Sequence, residues 1–155
     1  MSPLLWDAGR WPHLQAQTIA CPCCGETVVW PQALDAFERL CAGLGAALRV
    51  NSGHRCALHN ARVGGAPMSL HKRLAFDIAL AGQDPARLLA EARASGFTGF
   101  GFGRIFLHLD TRSRPAFWFY GAQSRVRWRE TLSACGLPLP PAARSSGQTG
   151  ASPPA

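Results

Sequence analysis

Apolar positions along this chain follow two rhythms, and each predicts a kind of element. Over residues 31–48, Leu34, Phe37, Leu40, Cys41 and Leu44 recur at spacings of three and four, so they share one side of a helix while Asp35, Glu38 and Arg39 face water. A second helix has its boundaries written in the sequence. Asp84 is a good N-cap, Pro85 suits the first helical position, Leu88, Leu89 and Ala92 form the buried stripe, and Gly96 stops it. Residues 47–51 and 75–80 are strand-like, and 105–112 alternates as a strand, with 117–120 predicted as its hairpin partner across 113–116. The glycine-rich run 96–103 leads into a strand and not a helix, so it is a flexible approach segment and not a phosphate cradle.

Helices and short strands in irregular order, without repeated strand–helix alternation, predict an α+β domain built on a small antiparallel sheet flanked by helices. Three stretches are expected: an N-terminal extension over 1–20, a folded domain over 21–135, and a disordered tail over 136–155, where five prolines lie among Ala, Ser and Gly. With 155 residues, 47% of them hydrophobic and 16% charged, the chain is too apolar for disorder and of ordinary single-domain size. No apolar run approaches the roughly 18 residues of a membrane span, and no signal peptide is legible at the start.

The net charge is +7, and fifteen of the sixteen basic residues are arginine. That balance favours polyanionic surroundings, but no segment gathers the arginines on one face, so specific nucleic-acid binding is not expected. Among six cysteines, Cys21, Cys23 and Cys24 stand in CPCCG, whose C-x-x-C spacing is half of a zinc knuckle without a second half. These thiols read as reduced, or as one bridge such as Cys23 or Cys24 to Cys56. Histidine placement carries more chemistry. His71 lies six residues before Asp77, and His108 two before Asp110; two histidines and a carboxylate from separate short elements match a catalytic zinc site with a fourth position open to water.

The order SGHRC (52–56), His59-Asn60, Gly64-Gly65, SLHKRLAFDI (69–78), FLHLDTR (106–112) and RVRW (125–128) resembles the zinc D-Ala-D-Ala carboxypeptidase and murein endopeptidase family. Phage endolysins and, more distantly, the hedgehog signalling domain are its relatives. The resemblance implies a zinc site on the sheet with His71, Asp77 and His108 as ligands. It implies that Arg55 is either the cation beside the developing oxyanion or a clamp on a substrate carboxylate, and that Ser69 and His59 contact substrate. Many relatives carry an acidic residue three before the last histidine, where this chain has Ile105, so Asp110 is the candidate either for handling the water's proton or for orienting His108; residues two apart in a strand share a face. Asp110 bonded to Arg112 or Arg125 as structure is the alternative.

Two departures stand out. The family pattern S-x-H-x-x-G-x-A-x-D is one residue short here and lacks its glycine, and a one-residue slip in a strand reverses which face a carboxylate takes. His54 stands where relatives commonly carry tyrosine. The resemblance implies a zinc peptidase acting on peptidoglycan stem peptides or cross-links, of phage type, made in the cytoplasm and acting on the wall after release or within a phage-like particle. A catalytically impaired member that binds wall peptides or a protein partner is the alternative.

Overall fold

A computed structural model of the protein describes residues 4–141. The predicted tail falls largely on 142–155, outside the described residues. Of its first part, Leu137 packs against the core and its N–H bonds Leu132 O at 2.8 Å.

The two legible helices form, the first ending at Leu44 and not running to 48 because Gly45 caps it. Helix α2 (Pro31–Leu44) follows α1 (Ala16–Ile19); it starts on Pro31 and ends at Gly45, whose φ of 68° is a left-handed cap. After β1 (Val50–Ser52), α3 (Ala57–Arg62), a short 3-10 turn (Leu70–Lys72) and β2 (Phe76–Ala79) comes α4 (Pro85–Ala94), with the Asp84 side chain accepting from Ala86 and Arg87 N–H. Strands β3 (Gly99–Phe102), β4 (Phe106–Asp110) and β5 (Ala116–Phe119) and helix α5 (Ala122–Ala134) complete the chain. No helix among the described residues is long and apolar enough to cross a membrane.

The five strands form one sheet in the order β1-β2-β4-β3-β5, antiparallel except for the parallel pair β3–β5. The fold is α+β, with a mostly antiparallel sheet. Two sequence expectations are corrected. Residues 116–119 are not a hairpin partner of β4; they lie parallel to β3, which sits between them and β4. The glycine run is not merely an approach to a strand, because 99–102 is itself an interior strand of the sheet, between β4 and β5.

One face of the sheet is apolar. Phe76, Ile78, Phe100, Phe102, Leu107 and Leu109 alternate onto it and meet α2, α4 and α5 in one core. Phe37 of α2 reaches Phe76 at 4.9 Å between ring centroids, and Trp128 of α5 reaches Phe102 at the same separation. Each such buried side chain contributes roughly 1.5–3 kcal/mol. Helix α5 escaped the sequence reading because only Ser124, Trp128 and Leu132, four apart, are buried in an otherwise polar segment. The stretch set apart as an extension, 1–20, supplies Trp11, Leu14 and Ile19 to the same core.

Candidate metal centre

The opposite face is polar, and the strand register builds it. Ser52 pairs with Asp77, Asp77 with His108, His108 with Gly101 and Gly101 with Trp118, so one row crosses all five strands. Asp110 pairs with Gly99 in the adjoining stretch. Because β2 and β4 are antiparallel and in register, Asp77 and His108 stand side by side from residues 31 apart in sequence. His71 joins them from the 3-10 turn. The shortened loop is absorbed there: Ser69 Oγ accepts the His71 N–H at 3.3 Å, and Arg73 leaves the turn at φ −101°, ψ −88°, so that Asp77 still faces His71. Buried His54 lies beneath this loop, its Nδ1 3.0 Å from Arg73 O.

Three atoms converge in a nearly equilateral triangle. His71 Nε2 and His108 Nδ1 are 3.1 Å apart, His71 Nε2 and Asp77 Oδ1 3.2 Å, and His108 Nδ1 and Asp77 Oδ1 3.1 Å. The outer nitrogens fix the tautomers. His71 Nδ1 is 2.6 Å from Gly53 O, a pure acceptor, so the proton sits on Nδ1 and Nε2 presents a lone pair. His108 Nε2 is 2.9 Å from Asp110 Oδ2, so its proton sits on Nε2 and Nδ1 presents a lone pair. Two lone pairs and a carboxylate oxygen therefore face one another, an arrangement that calls for a cation. Tetrahedral zinc bonds of about 2.0–2.1 Å put ligand atoms about 3.3 Å apart, which the triangle matches. The residues fit a divalent ion.

Burial and charge act together here. Burial pushes the His71 pKa down, which keeps the ring neutral. Burial acts to raise Asp77, but the neighbouring histidines outweigh it and hold the carboxyl far below the ordinary range. For His108, burial pulls down, yet the bonds to Asp110 and Asp77 prevail and raise it. Asp110 is completely buried; burial again acts upward, and Arg112 with His108 holds it well below the usual value.

The other expected residues sort by contact. Arg55 donates from Nη2 to Asp77 Oδ2 at 2.8 Å and from Nε to Ser52 Oγ at 2.9 Å, beside the triangle. The Asp110 carboxylate lies beyond His108, and both its oxygens are bonded by Arg112, at 2.6 Å from Nη2 and 2.9 Å from Nε. Its contacts are those of a group that orients His108. Ser69 and His59 are not brought together: His59 lines a cleft of about 510 Å³ with Arg55 and Cys21, and Ser69 lines another of about 540 Å³ with Trp30, Met68 and Arg112.

The sequence reading missed the part that four residues play. Gly53 supplies a carbonyl, which no side-chain motif reveals. Trp118 lies 5.2 Å from His108 between ring centroids, its buried Nε1 without a hydrogen-bond partner. Gly99 and Gly101 make room: a Cβ on Gly99 would lie 2.0 Å from Asp110 Oδ1, and one on Gly101 would lie 2.8 Å from Trp118. The alternation G-x-G opposite H-x-D was the available signal.

The sequence model of the Peptidase M15 family matches residues 12–110, a span that begins just before α1 and ends at Asp110. No curated protein matches the chain.

Proposed function

The chain belongs to the Peptidase M15 family of metallopeptidases, and from that premise we propose that it is a zinc-dependent peptidase hydrolysing peptide bonds in bacterial peptidoglycan stem peptides or cross-links. The observation that carries this reading is the triangle of two imidazole lone pairs and one carboxylate oxygen with edges of 3.1–3.2 Å. His71, Asp77 and His108 would hold the ion. When bound, zinc supplies Lewis acidity toward a carbonyl and lowers the pKa of a coordinated water to about 7.

This chain's own residues do the rest. Gly53 O and Asp110 hold the two imidazoles in the tautomers that present lone pairs to one point. Arg55 holds Asp77 Oδ2 in place and lines the cleft with Asn51, Ser52 and His59, where it would meet a substrate carbonyl or carboxylate. Trp118 offers a buried N–H at the edge of the site, a fixed donor for substrate. The net charge of +7 suits an anionic wall polymer and a phage-type lysis enzyme, made in the cytoplasm and acting at the wall after release or within a phage-like particle.

Digestion of purified peptidoglycan fragments, followed by mass spectrometry with and without chelation, tests the reading. Peptide release that needs about one zinc at this site and disappears in His71→Ala supports it. Activity that survives removal of the metal overturns the zinc mechanism, and metal-free protein that binds the fragments without cleaving them overturns it in favour of a binding module.

A further inference from the structure

We propose that Cys21, Cys24 and Cys56 hold a second divalent ion, a structural zinc bound by three thiolates where the N-terminal segment meets the start of α3. The three sulfurs lie within 4.8 Å of one another. Zinc–sulfur bonds of about 2.3 Å in a tetrahedron place sulfurs about 3.8 Å apart, so the cluster needs only small adjustment. A disulfide would require two sulfurs at about 2.05 Å and would leave the third without a role. All six cysteines are free in the structure.

The backbone around Cys21 is built to present a thiolate. Its N–H bonds Glu26 O and its carbonyl accepts from Gly25 N–H, both at 2.8 Å, while Gly25 at φ 75° turns the chain back. This tight reversal puts Cys21 and Cys24 on one side of the turn. The Cys56 N–H donates to Cys21 Sγ at 3.4 Å, and the N–H groups of Cys23 and Cys24 add to the positive field around that sulfur. Burial alone would raise the Cys21 thiol; these N–H groups outweigh it and bring it down to about 6. Soft thiolates in this number select zinc over the oxygen-loving cations. On binding, each thiol gives its proton to solvent, and no oxidant or reductant is involved. The fourth corner falls either to Cys23, whose Sγ accepts from Arg62 Nη1 at 3.8 Å, or to His59, which lines the adjoining cleft from α3.

The position of the cluster gives it a purpose. Cys56 directly follows Arg55, whose N–H bonds His71 O at 2.7 Å, and the loop's Gly53 carbonyl holds His71 Nδ1. His54 N–H ties the same loop to Ile19 O at 2.8 Å, and a Cβ on Gly53 would lie 2.6 Å from the Ile19 Cα. An ion shared by the 21–24 turn and Cys56 therefore clamps the loop that orients both His71 and Arg55.

The test is metal content and cobalt spectroscopy on the full chain, purified under reducing conditions and loaded with zinc or cobalt alone. Two equivalents are expected in the unmodified chain, and one in the Cys21→Ser/Cys24→Ser double variant. The His71→Ala/His108→Ala double variant should also keep one equivalent, with the thiolate-to-cobalt charge-transfer absorption that only sulfur ligands produce. Should the cysteine double variant fail to fold, the histidine double variant and Cys56→Ser decide. A fall of about a quarter in that absorption in Cys23→Ser, with His59→Ala unchanged, assigns the fourth corner to Cys23, whereas full charge-transfer absorption with shifted cobalt d–d bands in His59→Ala assigns it to His59. A histidine double variant that binds no metal, or a thiol titration that finds these cysteines in a disulfide, overturns the proposal. An unmodified chain with one equivalent and full thiolate absorption upholds it and sinks the zinc peptidase reading instead.

Discussion

Replacing Asp110 with asparagine keeps the shape and removes the charge, and the structure lets two consequences be separated. The carboxylate is fully buried and accepts from His108 Nε2, from the Arg112 backbone N–H at 3.1 Å, and from Arg112 Nε and Nη2. Without it, the Arg112 guanidinium, only 7% exposed and already carrying a buried Nη1 without a partner, becomes an uncompensated cation. Breaking such a pair costs about 3–5 kcal/mol, which for a chain of this size lowers Tm by roughly 10–15 °C. The second effect concerns the metal. An asparagine amide no longer obliges His108 to keep its proton on Nε2, so Nδ1 loses its guaranteed lone pair and zinc affinity should fall by about 10- to 100-fold. Calorimetric melting and competition with a chromogenic chelator measure the two independently. Adding Arg112→Met to Asp110→Asn removes the stranded cation, so Tm should recover by several degrees while affinity stays low. If the double variant regains zinc affinity together with stability, Asp110 acts only as Arg112's counter-ion and the orienting role is refuted.

Gly99→Ala should damage the same group from the other side: its Cβ would meet Asp110 Oδ1 at 2.0 Å and Arg112 Nε at 2.5 Å, and these buried atoms cannot swing away, so a Tm loss and a fall in zinc affinity are both expected, whereas Gly82→Ala, at φ 77° with open space, should cost stability alone. Asp35, held below its usual pKa first by its bonds to Arg10, and Asp110, held down by Arg112 and His108 against burial, both bind protons less readily folded than unfolded. Their contribution to stability is complete above the ordinary carboxylate value of about 4 and is lost as pH falls, so urea midpoints should decrease between pH 5 and pH 3; a midpoint that rises on acidification contradicts this. Burial pushes the Cys41 thiol up to about 12, so native-state alkylation should leave Cys41 unmodified until the chain unfolds, as peptide mapping will show.

Helices α2 and α4 were legible because their determinants act within a few residues: apolar spacing in both and, for α4, the Asp84 cap, Pro85 at the first turn and Gly96 beyond the end, whereas the Gly45 stop of α2 went unread. The order of motifs likewise pointed to His71, Asp77, His108, Asp110 and Arg55 before any fold was known. Strand order could not be read this way. Whether β5 pairs with β4 or lies parallel to β3 depends on Phe117 and Phe119 finding Phe100 and Phe102 across the sheet, contacts that no local pattern encodes. Tertiary structure alone decided that Asp77 meets His71 despite the shortened loop, that glycines lie opposite His108 and Asp110, and that Cys56 joins Cys21 and Cys24. Residue type and spacing set what each short segment can form, whereas the convergence of distant side chains follows from register and packing, which are properties of the whole sheet and core.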